Sequence, residues 1–495
     1  MNSKLTGIIV VGVLAASLGG MLLFLEKTGG NENDSSSDES SSAVINQKQT
    51  NKTQLVDRSA DDVISVKVEN KYDTFEMVRS STGKTTWVID ALDGVAASLS
   101  DENALADCAA TLKSFDTVEE NAQDMSKYGF DDPTAKFTVT FSDGEERTFI
   151  VGDLLPGSER YYYLVEEGSS TVYEVLTTYV QDMCKRKEDY AVKVLIAQPG
   201  ADSYPEYGTL TVERKDLDYK VVIKDDEKEE GEGAVSAQVV VEPVYGYLNI
   251  TNSTGYTHGM WGLTATTAEV LKPDDKQLEE YGLKDPYATV TLKGDGYDYT
   301  LKIGNGINAV DENGNEQTAI ESYYCTLDGV EGADCIFVIN SASLPWARQT
   351  PEDILSSLMT FNYVKDVGEI VITKGSDTDD ITVTYDAEKE DVGAAELNGK
   401  ELDVSSFKTF YEYLLTCPTS EMYFTDPDED SSIMKIEIKR RDGGGDTIEL
   451  FKDTGRRHIV KLNGVTSYRI ESKWLDQFEK NISALEKGEK IGESY

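Results

Sequence analysis

The chain has 495 residues, of which 47 are lysine or arginine and 91 are aspartate or glutamate, giving a formal net charge of −44. A single hydrophobic core stops growing near about 250–300 residues, so two or more domains are expected. A surface this negative repels phosphate backbones, which argues against nucleic-acid binding. The acidity could serve as a solvated surface, or it could collect cations and basic partners.

The N-terminal segment from Leu5 to Leu25 holds 21 residues without a charge, close to the ~20 that cross a bilayer as a helix. It predicts one uncleaved transmembrane helix within a membrane anchor, residues 1–27. A cleaved secretory signal is the alternative. Lys4 before the segment and Glu26 and Lys27 after it place the rest of the chain outside the cytoplasm. We therefore expect a single-pass signal-anchor protein of the cell membrane whose C-terminal bulk is extracytoplasmic.

The next segment, residues 28–60, is rich in serine, aspartate, asparagine and glutamate. A composition with so little to bury cannot offset the entropy lost on ordering. The segment is expected to be a disordered, acidic and serine-rich tether.

The first folded unit is predicted over residues 63–190. It opens with a strand pair near Val63, and Ser100 is expected to cap a helix that follows. The alternating stretch FTVTF and the Asp-Gly turn after it predict a hairpin. The helix is indicated by apolar residues at i, i+3, i+4 and i+7, namely Leu105, Cys108, Ala109 and Leu112.

The same order of parts recurs in a second unit, residues 207–354, and in a degenerate third unit, residues 367–486. Internal repeats of this kind indicate one supersecondary unit used several times. The predicted fold class is therefore α+β: three repeated units of antiparallel strands with packed helices, preceded by one transmembrane helix. The third unit repeats the helical spacing with Phe407, Phe410, Tyr411 and Leu414, and it closes with a helix bearing Trp474, Phe478 and Ile482.

A Tyr-Gly turn occurs in the first two units, 153 residues apart, as YGFDDP from Tyr128 and YGLKDP from Tyr281. The glycines are expected to supply a positive φ where a short helix stops, and the prolines restrict the preceding residue to extended geometry. The motif is interpreted as a structural turn rather than a ligand site. Its residues are Tyr128, Gly129, Pro133, Tyr281, Gly282 and Pro286.

No catalytic, cofactor or metal site is predicted. The two histidines, His258 and His458, are 200 residues apart and do not make a metal cluster or a nucleophile pair. The stretch from Asp311 to Asn315 imitates the start of a calcium loop, but Glu316 stands where the turn glycine belongs and Ser322 where the closing glutamate belongs. Because the chain has 91 acidic residues, its sequence neither excludes a catalytic pair of carboxylates nor shows where one would lie.

Cys325 and Cys335 flank a turn centred on Val330, so they are predicted to lie opposite each other across a hairpin. Opposed residues on an antiparallel ladder come close enough for a disulfide after a small adjustment. An oxidising compartment would favour the bond, and a reducing one would leave two neighbouring thiols.

The Tyr-Gly turn, the hydrophobic-x-x-Gly-Asp/Asn step at Gly152 and Gly304, and the Tyr-Tyr strand that follows resemble the bacterial domain-of-unknown-function family numbered 4340. The resemblance covers about 87–182 and 249–354 and is weak in the third unit. It implies tandem copies behind an N-terminal membrane helix.

The expectation is a membrane-anchored, extracytoplasmic, non-enzymatic protein that serves as an accessory or interaction module of an ABC-type transporter or envelope complex. The transporter link comes from the family resemblance. Two alternatives stay open: a carboxylate-based envelope hydrolase and an acidic cation-binding surface or adhesion protein.

Overall fold

The structure is a computed structural model that describes residues 52–80, 87–92, 94–226, 235–312, 314–419 and 421–494. The predicted transmembrane helix from Leu5 to Leu25 lies outside these residues, as does most of the predicted tether. Within the described ranges, no helix is long and apolar enough to cross a membrane. The assignments of a transmembrane helix, a single-pass signal anchor and a cell-membrane location are therefore not supported and are withdrawn.

The described end of the predicted tether packs against the first folded unit. Val56 is 2% exposed, and the backbone N–H groups of Leu55 and Val56 both donate to Leu112 O at 2.9 Å. Burial of the Val56 side chain and the hydrogen bonds of the backbone order this end of the polar segment.

The predicted α+β class is wrong, because the fold is mostly β. Strands account for 43% of the described residues and helices for 21%, in three antiparallel sheets. The repeat predicts that each unit closes with a helix like that of the third unit, but the helices after the last strands of the first two units are only one turn long. In the second unit Pro345 and Pro351 each start a separate short helix, and a proline ring keeps the residue before it from continuing a longer one.

The first sheet has the strand order β3-β2-β1-β5-β6-β7-β8-β4. Its central strand β5 has the burial alternation expected of a strand with one face on a core. The strands are β1 (Val63–Asn70), β2 (Thr74–Arg79), β3 (Trp87–Ile89), β4 (Asp116–Glu119), β5 (Ala135–Phe141), β6 (Glu146–Leu154), β7 (Tyr161–Glu166) and β8 (Val172–Leu176).

The second sheet has the order β12-β11-β10-β9-β14-β15-β16-β17-β13. Two of its strands, β15 and β16, are far longer than their neighbours. The strands are β9 (Thr209–Arg214), β10 (Val221–Asp225), β11 (Val235–Glu242), β12 (Gly246–Asn249), β13 (Thr267–Leu271), β14 (Ala288–Gly294), β15 (Tyr297–Val310), β16 (Glu316–Asp328) and β17 (Cys335–Asn340).

The third sheet has the order β21-β20-β19-β18-β22-β23-β24-β25. The strands are β18 (Val367–Lys374), β19 (Asp377–Asp386), β20 (Asp391–Leu397), β21 (Lys400–Glu401), β22 (Ser432–Arg440), β23 (Gly445–Lys452), β24 (Arg457–Leu462) and β25 (Val465–Glu471). The residues of each sheet fall within one of the three predicted units.

Each unit places a helix between its first and second groups of strands, and short helices fill several connections. Ser100 lies inside α1 rather than capping it; the N-cap residue is Ser98. The helices are α1 (Leu99–Ala110), α2 (Thr177–Val180), α3 (Ile250–His258), α4 (Asp275–Glu280), α5 (Pro351–Ile354), α6 (Val404–Leu415) and α7 (Ser472–Lys487).

All three sheets share one pairing: the first strand of the unit pairs antiparallel with the first strand of the hairpin series that comes after the helix and its connection. The pairs are β1 with β5, β9 with β14, and β18 with β22. The first two sheets end on a strand drawn from the connection after the helix, β4 or β13, whereas the third sheet ends on β25.

The first two sheets share one cluster of buried apolar side chains, and the third sheet has a cluster of its own. Backbone hydrogen bonds join the first two units. Ala96 N–H in the first unit donates to Gly332 O in the second at 2.9 Å, and Leu195 N–H, in the segment between the two units, donates to Leu263 O at 2.8 Å. The first two units therefore form one packed body to which the third unit is attached.

Candidate functional site

Each Tyr-Gly turn is a corner between a short helix and a strand. Gly129 has φ 80° and Gly282 has φ 72°, a region that glycine enters without steric cost. Pro133 and Pro286 each stand two residues before the strand that follows, β5 or β14. The motif residues thus end one element and begin the next.

The corner also explains the glycine of the Gly-Asp/Asn step. A Cβ atom on Gly152 would lie 2.1 Å from Tyr128 O, and one on Gly304 would lie 2.4 Å from Tyr281 O. Each strand glycine is therefore required by the close approach of its own corner. The Tyr-Gly turn and the Gly-Asp/Asn step of each unit are therefore the two sides of one backbone contact.

The corner tyrosines are held by aromatic contacts to the Tyr-Tyr strands. The ring centroids of Tyr128 and Tyr163 are 4.9 Å apart, and those of Tyr281 and Tyr324 are 4.5 Å apart. Tyr128 also donates a hydrogen bond to Glu119. Burial, followed by that carboxylate, raises the pKa of Tyr128. These interactions hold the corners in place.

The predicted register of Cys325 and Cys335 is wrong. Cys325 pairs with Phe337 across the β16–β17 ladder, two residues beyond the predicted partner, because the turn is not centred on Val330. Both thiols are free and buried, and burial raises the pKa of Cys335 to about 12. The two cysteines are packing residues of the shared core.

The two histidines lie in separate units and have different surroundings. His258 Nδ1 is 2.7 Å from Thr257 Oγ1, and its ring lies 5.3 Å from that of Tyr207. Burial lowers the pKa of both His258 and His458, which favours the neutral ring in each. In the described part of the chain, no group of three or more histidine, cysteine, aspartate or glutamate side chains is arranged to hold a metal.

One carboxyl group is buried without a partner. Glu102 on α1 is 1% exposed, and no described residue donates a hydrogen bond to its Oε2. Burial raises the pKa of Glu102 to about 7. A raised carboxyl pKa suits a general acid, but Glu102 does not line the open cleft between α3 and the segment that follows β17.

An open cleft of about 730 Å³ lies between α3 and the segment that follows β17. Gly255, Gly259 and Gly262 form part of its lining, and Asn252 and Arg348 stand at its edge. Asn252 and Arg348 are exposed. The cleft is shallow and polar, and it is a feature of the second unit.

A two-stranded arm, residues 305–312 and 314–321, is formed by the distal parts of β15 and β16 and extends beyond the neighbouring strands. The neighbouring strand on one side ends its pairing at Ile303, and the neighbour on the other side ends at Ser322. Seven residues of extended chain beyond Ile303 reach roughly 20 Å. The arm carries Val310, 61% exposed, and Ile320, 39% exposed.

The tip of the arm satisfies its own acidic side chain. Asp311 Oδ1 accepts a hydrogen bond from Asn315 N at 2.8 Å, and Asp311 Oδ2 accepts one from Asn315 Nδ2 at 3.0 Å. The stretch that imitates a calcium loop is therefore a hairpin turn between two strands.

A buried carboxylate links the second sheet to the third. Asp446, on β23, is 2% exposed and accepts hydrogen bonds at 2.6 Å from Tyr247 Oη and at 2.8 Å from Asn463 Nδ2. Its other oxygen accepts from Thr360 Oγ1 and Asn362 Nδ2. Burial and then the charge of Asp446 raise the pKa of Tyr247. A buried charge with four donors is stable only while they stay in place, so this junction fixes how the two sheets meet.

The sequence analysis noticed the arm only as the stretch from Asp311 to Asn315 that imitates a calcium loop, and it missed the junction. A hairpin is indicated by the Asn-Gly pair between Asp311 and Asn315, which has β-branched residues both before and after it. The Asp446 network carries no such signal, because its members come from four separate segments of the chain.

Residues 87–233 match the model of a family described as Domain of unknown function (DUF4340). The match begins at β3, includes the first corner, and ends after β10 in the second sheet. It supports the family resemblance for this part of the chain, whereas the second corner and the third unit lie beyond it. Among curated proteins, none matches the chain.

Proposed function

We propose that this protein is a non-enzymatic interaction module, an accessory of an ABC-type transporter or of an envelope complex. The observation that carries the proposal is the exposed arm of the second unit. The identity of the partner is supported by the family resemblance alone.

The arm has the properties of a binding element. A two-stranded ribbon alone in water is marginally stable, and its outer edges present unpaired backbone N–H and C=O groups that can pair with another chain. The residues at 316–321 are all exposed, so this strand of the ribbon buries little side-chain surface. A partner strand would supply both hydrogen bonds and burial for Val310 and Ile320.

The test is affinity capture after cross-linking in the native cells, with the full chain and with a variant in which Asn-Gly replaces residues 308–321. The replacement leaves the pairing of Ile307 with Ser322 intact and closes the hairpin with a two-residue turn. We expect transporter subunits to be recovered with the full chain and lost with the variant.

The matched control shortens the equivalent hairpin of the first unit by removing residues 156–159 between β6 and β7. It removes an exposed loop without touching the arm, so recovery should persist. Equal recovery with and without the arm, or no transporter subunit with the full chain, would contradict the proposal.

A further inference from the structure

The outer edge of β15 is unpaired along the arm. The neighbouring strand β14 pairs with β15 only as far as Ile303. The second corner then covers one more position, because Asn305 N donates to Tyr281 O at 2.9 Å. In the described part of the chain, no strand pairs with this side of Gly306 to Val310. This stretch is therefore a free strand edge that begins where the corner ends.

The other edge of the arm, along β16, is interrupted by extra residues. Between the pair Ile307–Ser322 and the pair Val310–Glu316, β15 advances three residues and β16 advances six. Extra residues bend a strand and disrupt its ladder, which hinders pairing with another chain. The regular edge of the arm is therefore that of β15.

The exposed apolar side chains of the arm are accessible from this edge. Asn308 is opposite Ile320, so Asn308, Val310 and Ile320 share one face of the arm. A Cβ atom on Gly306 would lie 2.8 Å from Ile320 Cδ1, which places the Ile320 side chain over Gly306. Because Gly306 has no side chain, a residue on a strand added beside β15 can contact Ile320. Such a strand would bury apolar surface as well as pair its backbone.

The ionisable residues of the arm are all acidic. Residues 305–321 contain Asp311, Glu312, Glu316 and Glu321 and no lysine, arginine or histidine. The three glutamates are exposed. Opposite charges on neighbouring strands stabilise a ladder, and like charges destabilise it. The arm therefore favours a basic strand over an acidic or neutral one.

A second copy of the chain does not fit this edge. Pairing two arms would set the acidic side chains of one against those of the other, between chains that each carry a formal net charge of −44. Anionic lipid headgroups and phosphate backbones are repelled for the same reason. The charge points instead to a protein segment rich in lysine or arginine.

We propose that the edge of β15 from Gly306 to Val310 binds an extended basic segment of a partner protein, which pairs with β15 in line with β14. This inference rests on the proposed function and specifies the segment that the arm recognises. Backbone hydrogen bonds to β15 hold the segment as an added strand. Its lysine or arginine side chains are attracted to the acids of the arm, and its apolar side chains cover Val310 and Ile320.

The test measures binding of the labelled peptide Lys-Val-Lys-Val-Lys-Val-Lys to the full chain by fluorescence anisotropy. The peptide Lys-Lys-Pro-Pro-Pro-Lys-Lys has the same charge, but its consecutive prolines remove backbone donors from both edges of a strand. The peptide Glu-Val-Glu-Val-Glu-Val-Glu keeps the valines and reverses the charge. We expect the lysine-valine peptide to bind about tenfold more tightly than either of the others. Equal affinity for the proline peptide, or no binding of the lysine-valine peptide, overturns the proposal.

A charge-reversal variant tests whether the peptide binds at the arm. The variant combines Glu312→Lys, Glu316→Lys and Glu321→Lys, and it should weaken binding of the lysine-valine peptide about tenfold. The matched control makes the same change in net charge at exposed glutamates outside the arm, Glu120→Lys, Glu331→Lys and Glu489→Lys. The control should bind nearly as the unaltered chain does. Equal weakening by the two variants would place the peptide elsewhere and contradict the proposal.

Hydrogen exchange of the unaltered chain identifies the edge that is used. An added strand forms backbone hydrogen bonds only with the strand that it joins. With the lysine-valine peptide bound, the amides of residues 306–310 should therefore gain more protection than those of residues 316–321. Protection that is no greater in 306–310 would overturn the assignment to β15.

The two proposals can fail separately. If transporter capture depends on the arm while the lysine-valine peptide shows no preference, the proposed function stands and the assignment of a basic strand is wrong. If the peptide binds at β15 as expected but removal of the arm leaves transporter capture unchanged, the proposed function loses its support and the edge remains a strand-binding site.

Discussion

The helices α1 and α6 occupy the same place in the first and third units and have the same length, 12 residues, yet their buried faces differ. The fourth residue is Glu102 in α1 and Phe407 in α6, and the seventh is Leu105 in α1 and Phe410 in α6. The buried face of α1 also contains three alanines, whereas that of α6 contains two tyrosines and a leucine.

This difference matches the two kinds of core. Small side chains let α1 lie close to a core that continues into the second sheet, and α6 fills a separate core with its own aromatic rings. Interiors are close-packed, so side-chain volume must match the space that the sheets leave. A helix at the same position of the repeated unit can therefore pack into a core that two units share or into the core of its own unit alone.

The largest effect on stability is expected in the separate core of the third unit. Phe410 is fully buried and stacks on Phe478 with centroids 5.3 Å apart. Phe410→Ala should lower the free energy of unfolding of the third unit by about 3–5 kcal/mol through a cavity. Hydrogen exchange followed by mass spectrometry should show the loss of protection in β18–β25 only. Leu105→Ala should instead lower the hydrogen-exchange protection of the first two units together. If either variant lowered protection evenly over all three units, the two cores would not be separate.

The corner is present in the first unit and absent from the third. Gly152→Ala should destabilise the first unit by about 3 kcal/mol, because the new Cβ would lie 2.1 Å from Tyr128 O and neither backbone can move aside. Urea unfolding measures the loss. Gly144→Ala is the matched control: Gly144 has φ 84° with nothing within 4 Å of a Cβ, so only about 1 kcal/mol of backbone strain is expected. Equal costs would show that the corner contact is dispensable.

Glu102, whose pKa is raised by burial, should make the stability of the first unit fall as the pH rises. In the unfolded chain its carboxyl ionises at the ordinary value of 4.5, and in the folded chain at about 7. The stabilisation from the folded, protonated carboxyl is complete below 4.5 and is lost as the pH rises through 7.

Glu102→Gln removes this titration. Between pH 4 and pH 8 the unaltered chain should lose about 2–3 kcal/mol more stability than the variant, as measured by urea unfolding at each pH. Glu120→Gln, at an exposed position, is the control and should follow the unaltered chain. A constant difference between the Glu102→Gln variant and the unaltered chain across this range would show that folding does not raise the pKa of Glu102.

The arm should give the smallest effect on stability. Val310→Ser and Ile320→Ser change exposed side chains outside every core, so each should alter the free energy of unfolding by less than about 0.5 kcal/mol. Thermal unfolding measures this. A larger loss would mean that the arm is part of the folded body rather than a projection from it.

The sequence was sufficient for the parts of the fold that depend on local pattern. Gly129 and Gly282 have the positive φ that a turn of this type requires, and the spacing of Phe407, Phe410 and Leu414 produced the buried face of α6. The balance of strand and helix was misjudged, because Pro345 and Pro351 divide the expected closing helix of the second unit.

The features that depend on distant parts of the chain could not be predicted. The partner of Cys325 depends on the exact register of one ladder, which a short shift in the turn changes. The hydrogen bond from Asn362 Nδ2 to Asp446 joins residues that are 84 positions apart. Periodicity and turn residues carry no information about either.

The central claim is that the arm contacts a partner protein. The most direct measurement introduces a photo-activatable amino acid at Val310, which is 61% exposed, and at Tyr72, which is 51% exposed in the first unit. Irradiation of native cells should yield a discrete cross-linked product from Val310 that contains a transporter subunit, and no such product from Tyr72. Only monomeric chain from both positions, or the same product from both, would contradict the account.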